Sequence, residues 1–233
     1  VNASFAQRHP VASYFFLTFC ISWSAALAVA LPDLWRGHAV STTAGILMFP
    51  AMLLGPSISG IILTLICDGK AGVRSLLSKL RKPRVAPQWF TLLLLPPALV
   101  LLILYGLRLT VAAGFSPNDF YFGILFGLPA GFLEEIGWTG FAYPRMTGNQ
   151  APFTSAIFLG LLWSLWHLPV INFLGAAAPH REYWLHFFLA FALAMTAMRV
   201  LICWVYINTE SVLMAQLMHI SSTGTLVIFS PGV

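Results

Sequence analysis

Gly131-Phe132-Leu133-Glu134-Glu135-Ile136-Gly137-Trp138-Thr139-Gly140 sets two adjacent carboxylates inside a stretch that otherwise reads as lipid-embedded helix. Phe120 to Pro144 holds no other charged residue. A carboxylate at the bilayer centre costs about 2.5–3.5 kcal/mol on insertion scales, so two together require a protein-lined, polar interior. Neighbouring helical residues point about 100° apart, so the two carboxylates face different spaces and divide between chemistry and structure.

The composition around this stretch is that of a membrane protein. Of 233 residues, 59% are hydrophobic and 8% charged, and the mean hydropathy is +0.85, far outside the range of soluble domains. The net charge of +5 does not point to nucleic acid, because six of the twelve Lys and Arg lie in one short loop with no RNA or DNA motif. Cys20, Cys67 and Cys203 are widely spaced in apolar surroundings and read as packing residues. The chain opens at Val1 without a methionine and closes at Val233 after an apolar run, which reads as a processed or trimmed product.

Spans follow from uncharged runs, about 20 apolar residues being enough to cross. The first is about 11–31; its Ala28-Val29-Ala30 imitates a signal-peptidase site, but the run exceeds a signal peptide's 7–15-residue apolar region. The second is about 45–67, with a kink expected at Gly55-Pro56. Residues 68–87 then alternate Lys70, Arg74, Lys79, Arg81, Lys82 and Arg84 with Val73, Leu76, Leu77 and Leu80, the pattern of a basic amphipathic helix on an anionic leaflet, with a solvated connector as the alternative because the apolar face is short. Spans three to seven cover about 88–112, 120–144, 152–173, 184–206 and 211–230, with Pro96-Pro97 bending the third. His180, Arg181 and Glu182 form an outer loop, and Arg199 is expected near the cytoplasmic end of span six. Nine basic residues (Arg8, the six of the loop, Arg145, Arg199) fall on one side against Arg36, Arg108 and Arg181 on the other. That asymmetry predicts a cytoplasmic N-terminus.

Helix rise sets the depth of the ionisable groups. Counted from the inner ends, Glu134, His167 and His219 lie roughly 13–23 Å along their helices, a common level near the bilayer middle. Two histidines and a carboxylate on three helices satisfy one another while lining a wet pocket. Two hydrolytic chemistries fit: Zn²⁺ held by Glu134, His167 and His219 with an open position, or water polarised directly by Glu134 and His167 with His219 on the oxyanion. A structural polar clamp, or a proton or ion relay, is the alternative. Other intramembrane classes lack their groups. No H-E-x-x-H occurs, Ser164 has no G-x-S-x-G-like turn, and Asp33, Asp68 and Asp119 all sit at span ends. His9, His38, His180 and His186 read as interfacial, and Trp138, Trp163 and Trp166 as packing between helices. Pro129 and Pro169 are expected to open the helices toward the pocket.

At these residues the sequence resembles the CPBP intramembrane proteases (Abi family), which include the Ras-converting CAAX endopeptidases and bacterial bacteriocin-processing or self-immunity proteins. Glu134-Glu135-Ile-Gly-Trp-Thr139 resembles the motif E-E-x-x-x-R, Trp163-Ser-Leu-Trp-His167 the motif F-x-x-x-H, and His219-Ile-Ser-Ser-Thr223 the motif H-x-x-x-N. His9-Pro10, Gly55-Pro56-Ser57, Asp68-Gly69-Lys70-Ala71-Gly72 and Trp166-His167-Leu168-Pro169 are similar too. The resemblance implies peptide-bond hydrolysis with Glu134 and His167 activating water and His219 and Thr223 at the oxyanion, on a membrane protein or lipidated peptide in a bacterial cell membrane. Metal-bearing and metal-free versions both remain open. Two departures stand out. Thr139 replaces the family's arginine, so Glu135 loses its i, i+4 cation and is expected to be protonated or bonded to the Thr139 hydroxyl. Thr223 replaces the asparagine with a shorter donor.

The combined reading is an all-α, polytopic transmembrane bundle of about seven spans, with an eighth conceivable beyond Val233, forming one unit over 1–233. Catalytic candidates are Glu134, Glu135, His167, His219 and Thr223; Glu134, His167 and His219 are the ligands if Zn is used. The partners are the lipid bilayer and a membrane-bound substrate. A catalytically silent scaffold or immunity protein, and a proton-coupled transporter, are the competing functions.

Overall fold

The computed structural model describes residues 3–148, 150–173 and 182–230, and among them only helices and their connections occur. In chain order these are α1 (Phe5–Arg8), α2 (Pro10–Trp35), α3 (Thr42–Leu80), α4 (Gln88–Thr91), α5 (Leu95–Thr110), α6 (Ile124–Gly137), α7 (Tyr143–Thr147), α8 (Pro152–Trp166), α9 (Leu168–Phe173), α10 (Trp184–Thr209) and α11 (Val212–Phe229). Among the described residues, five helical stretches are long and apolar enough to cross a membrane: α2, α3, Gln88–Thr110, α10 and α11. Leu102, Leu109 and Leu193 are each at least 70% exposed, a surface suited to lipid tails and not to water.

The two predicted spans that carry the first two motifs are interrupted where the motifs lie. Between α6 and α7 the helix widens into a π-turn, Trp138–Ala142, directly after the paired glutamates; such turns concentrate at functional sites. The predicted span 152–173 divides at His167, which caps α8 through a tightened bond from its N–H to the Ser164 carbonyl. Pro169 has no N–H to continue the α8 ladder. At Pro129, α6 runs on as one helix from Ile124 to Gly137, the proline leaving the Leu125 carbonyl without its helical donor. Likewise α3 continues through Gly55-Pro56 and departs from helical geometry at Gly69 (φ 65°, ψ −161°). At Pro56 a neighbouring helix takes up the freed carbonyl, for Ser22 Oγ of α2 donates to the Met52 carbonyl at 2.7 Å. Pro96 and Pro97 lie in the first turn of α5, directly after a 3₁₀ turn at Leu92–Leu94 that separates it from α4.

The basic stretch after Gly69 stays helical to Leu80, and its Leu76 is buried against Gly140. Lys79 reaches the Tyr206 hydroxyl at 3.1 Å, and Arg145 pairs with Asp68. Arg8, the basic stretch and Arg145 thus share one end of the bundle with the α10–α11 turn, where Ser211 Oγ donates to the Lys82 carbonyl. His180 and Arg181 lie outside the described residues.

Small residues bring α6 to the centre. A Cβ on Gly60 would stand 2.8 Å from Gly137 Cα, and one on Gly127 would stand 2.9 Å from Gly224 Cα, so α3 and α11 approach α6 almost backbone to backbone. Ser57 Oγ donates to the Leu133 carbonyl (2.6 Å) and Gln216 Nε2 to the Phe132 carbonyl (2.8 Å), locking both contacts. On the other side Gly160 of α8 faces Thr196 of α10, where a Cβ would meet Thr196 Cα at 2.7 Å.

Candidate active site

Glu134 and Glu135 leave α6 in different directions, as their spacing requires, and both are buried. Glu134 Oε2 accepts two indole N–H bonds, from Trp163 on α8 (2.6 Å) and from Trp138 one turn along (3.1 Å). Its Oε1 has no hydrogen-bond partner among the described residues. The tryptophans therefore do more than pack. Their N–H groups fix the carboxylate, a role that apolar surroundings alone did not suggest.

Glu135 takes four donations. Arg199 Nη1 lies 2.8 Å from both of its oxygens, His219 Nδ1 lies 2.7 Å from Oε1, and the Thr139 hydroxyl bonds Oε2. The Thr139 bond is one of the two outcomes expected for the altered motif. The cation is not. Arg199, expected near a membrane face, is fully buried and ion-paired with Glu135, and its guanidinium lies 4.1 Å from the centre of the Trp163 ring. An unpaired carboxylate in such surroundings would carry a desolvation penalty of several kcal/mol, which the guanidinium offsets. Removing Arg199 from the count of basic residues at the loop end leaves eight there, which keeps the asymmetry.

A signal for Arg199 was present in the sequence. It is the sole Lys or Arg in α10, ten residues before the helix ends at Thr209, and Glu135 likewise lies ten residues before Arg145. At about 1.5 Å per residue both sit some 15 Å deep, and a buried ionisable group demands a partner at its own level.

His167 and His219 are held by different groups. His167 Nδ1 lies 2.8 Å from the Trp163 carbonyl, an acceptor only, so that nitrogen carries the proton and Nε2 is left with its lone pair. His219 turns Nδ1 to Glu135 instead. Four of the five candidates, Glu134, His167, His219 and Thr223, line one cavity of about 270 Å³ with Trp163, whose remaining walls are apolar side chains such as Phe49, Phe191 and Met195. Glu135 does not line it and stands behind His219. The site is thus layered: an open face of Glu134, His167, His219 and Thr223, and a closed layer of Glu135, Thr139 and Arg199.

Among the described residues no three His, Cys, Asp or Glu side chains form a group able to hold a metal ion. One oxygen of Glu134 is bound by two indoles and each histidine is oriented through Nδ1 by a separate partner, which leaves Glu134 Oε1 and the two Nε2 nitrogens without a hydrogen-bond partner among the described residues. The cysteines carry free thiols, and Cys203 is buried.

Residues 116–224, which contain Glu134, Glu135, Thr139, Trp163, His167, Arg199, His219 and Thr223, match the family described as Type II CAAX prenyl endopeptidase Rce1-like. The chain is also 30% identical over 139 residues to the CAAX prenyl protease 2 of Methanococcus maripaludis, an alignment covering 54% of this chain and 51% of that protein. The chain thus spans about half the length of the curated relative it matches.

Proposed function

We propose that the chain is an intramembrane endopeptidase of the CAAX protease and bacteriocin-processing family, a reading supported by the match of residues 116–224 and by the similarity to the Methanococcus maripaludis protease. Its substrate is a membrane protein or lipidated peptide of CAAX type, cut near the middle of the bilayer by water activated on Glu134 and His167. The observation that carries this reading is the single cavity onto which Glu134, His167, His219 and Thr223 all open.

The chemistry follows from which atoms are free. Water is held between Glu134 Oε1 and His167 Nε2, both acceptors without a protein partner among the described residues. Glu134 takes a proton as the oxygen attacks the scissile carbonyl. The oxyanion is met by His219, donating from Nε2 while Nδ1 donates to Glu135, and by the Thr223 hydroxyl. Glu134 then passes its proton to the leaving amine, the C–N bond breaks, and a carboxylate and an amine remain. Every step is met by side chains, with none routed through a metal. The N-terminus is cytoplasmic in this reading, supported by the eight basic residues at the end shared by α1, α7 and the α10–α11 turn.

The test is cleavage of a prenylated CAAX-type peptide by the protein reconstituted in liposomes, with metal content measured alongside. Glu134→Gln and His167→Ala are expected to keep the thermal melt and abolish cleavage. Full cleavage by either variant refutes the mechanism. A wild-type protein inert toward such peptides, whose cellular effect survives both substitutions, identifies a scaffold or immunity role instead.

A further inference from the structure

The closed layer of the site draws on a helix that none of the three motifs touches. Glu135 has lost the arginine expected one turn away, because position 139 is threonine, yet its carboxylate meets a guanidinium from α10, 64 residues along the chain. The Arg199 side chain is fully buried, and its only ion pair among the described residues is with Glu135. Its Nε and Nη2 have no partner among the described residues, so no backbone carbonyl or second acid there competes for it. Trp163 supplies the face on which the guanidinium rests, and Gly160, one turn earlier on α8, allows α10 close enough to deliver it.

We propose that Arg199 is a positioning residue of the active site: it pins the Glu135 carboxylate so that Glu135 holds the proton on His219 Nδ1 and aims His219 Nε2 into the cavity. The first motif's cation has in effect moved to α10, and the chain reads as a compensated variant of that motif. Glu135 bridges the two groups at 2.8 and 2.7 Å, so displacement of its carboxylate is transmitted to the imidazole. The role rests on the endopeptidase reading for its catalytic consequence, whereas the Glu135–His219 contact can be observed without any substrate.

The relocation makes a swap test possible. Arg199→Met is expected to lower kcat by about 10- to 100-fold, the usual range for a supporting partner, with KM changed little. In the same variant the downfield Nδ1–H resonance of His219, assigned by its loss in His219→Gln, should disappear from the NMR spectrum of the solubilised protein. Thr139→Arg alone puts a second cation beside Glu135 and should not raise activity. Thr139→Arg/Arg199→Met returns the cation to the position one turn from Glu135 and should restore both the resonance and most of kcat. If Arg199→Met folds and keeps kcat and the resonance, the proposal is overturned. Should Arg199→Met fail to fold, the double variant decides: recovery of folded protein with the His219 resonance supports the proposal, and failure to recover them overturns it. If the resonance follows the arginine while the wild type cleaves no peptide, the positioning role stands and the endopeptidase reading falls.

Discussion

Glu135→Gln offers the sharpest energetic test, because it removes the charge and leaves the shape. The carboxylate and the Arg199 guanidinium are both fully buried and 2.8 Å apart at the nearest atoms. Two unit charges about 4 Å apart in a medium of effective dielectric about 20 attract by about 4 kcal/mol. Breaking a buried pair from one side typically costs about 3–5 kcal/mol, because a charge is left uncompensated. Glu135→Gln is therefore expected to destabilise by about 4 kcal/mol, and Arg199→Met by a similar amount. Glu135→Gln/Arg199→Met removes both charges, while the amide carbonyl oxygen of the substituted side chain can still accept from His219. It should fall within about 1 kcal/mol of the wild type, because a neutral replacement of a buried pair is often nearly free. The measurement is reversible unfolding in mixed micelles for all four proteins, closed as a double-mutant cycle. Single-variant costs under about 1 kcal/mol, or a double variant equal to the sum of the singles, would refute the pairing as an energetic unit.

Three further outcomes follow from the same geometry. Asp68→Asn breaks the pair with Arg145, but its carboxylate is 44% exposed, so less than about 1 kcal/mol should be lost in the same unfolding assay. Gly60→Ala forces a methyl to within 2.8 Å of Gly137 Cα and should cost about 1–3 kcal/mol by parting α3 from α6, read as a lower thermal midpoint. Trp163→Phe keeps the ring beneath Arg199 and deletes one of the two N–H donors to Glu134; kcat is expected to drop about tenfold, near 1.4 kcal/mol, with unchanged activity counting against the anchoring role.

Much of the architecture was legible because lipid imposes a coarse rule: uncharged runs of sufficient length become helices, and the predicted spans correspond closely to α2, α3, Gln88–Thr110, α10 and α11. The runs 120–144 and 152–173 were located as well, but their interruptions at Trp138–Ala142 and His167 were not. A π-turn depends on how neighbouring helices pack, and hydropathy carries no trace of it. Nor does hydropathy show that the helices continue through Pro56 and Pro129, or that at Pro56 the Ser22 hydroxyl of α2 takes up the Met52 carbonyl four residues back.

The sequence by itself determined that ionisable groups sit at one depth in an apolar bundle, and the three motifs named Glu134, His167 and His219. Only the tertiary structure decided the pairing. Local spacing ties Glu135 to Thr139, but no i, i+4 rule can reach Arg199, and two tryptophans read as packing residues turned their N–H groups onto Glu134. Depth along a helix follows from counting residues; rotation about that helix, which selects the partner, follows from where glycines at positions 60, 127 and 160 let one backbone press against another.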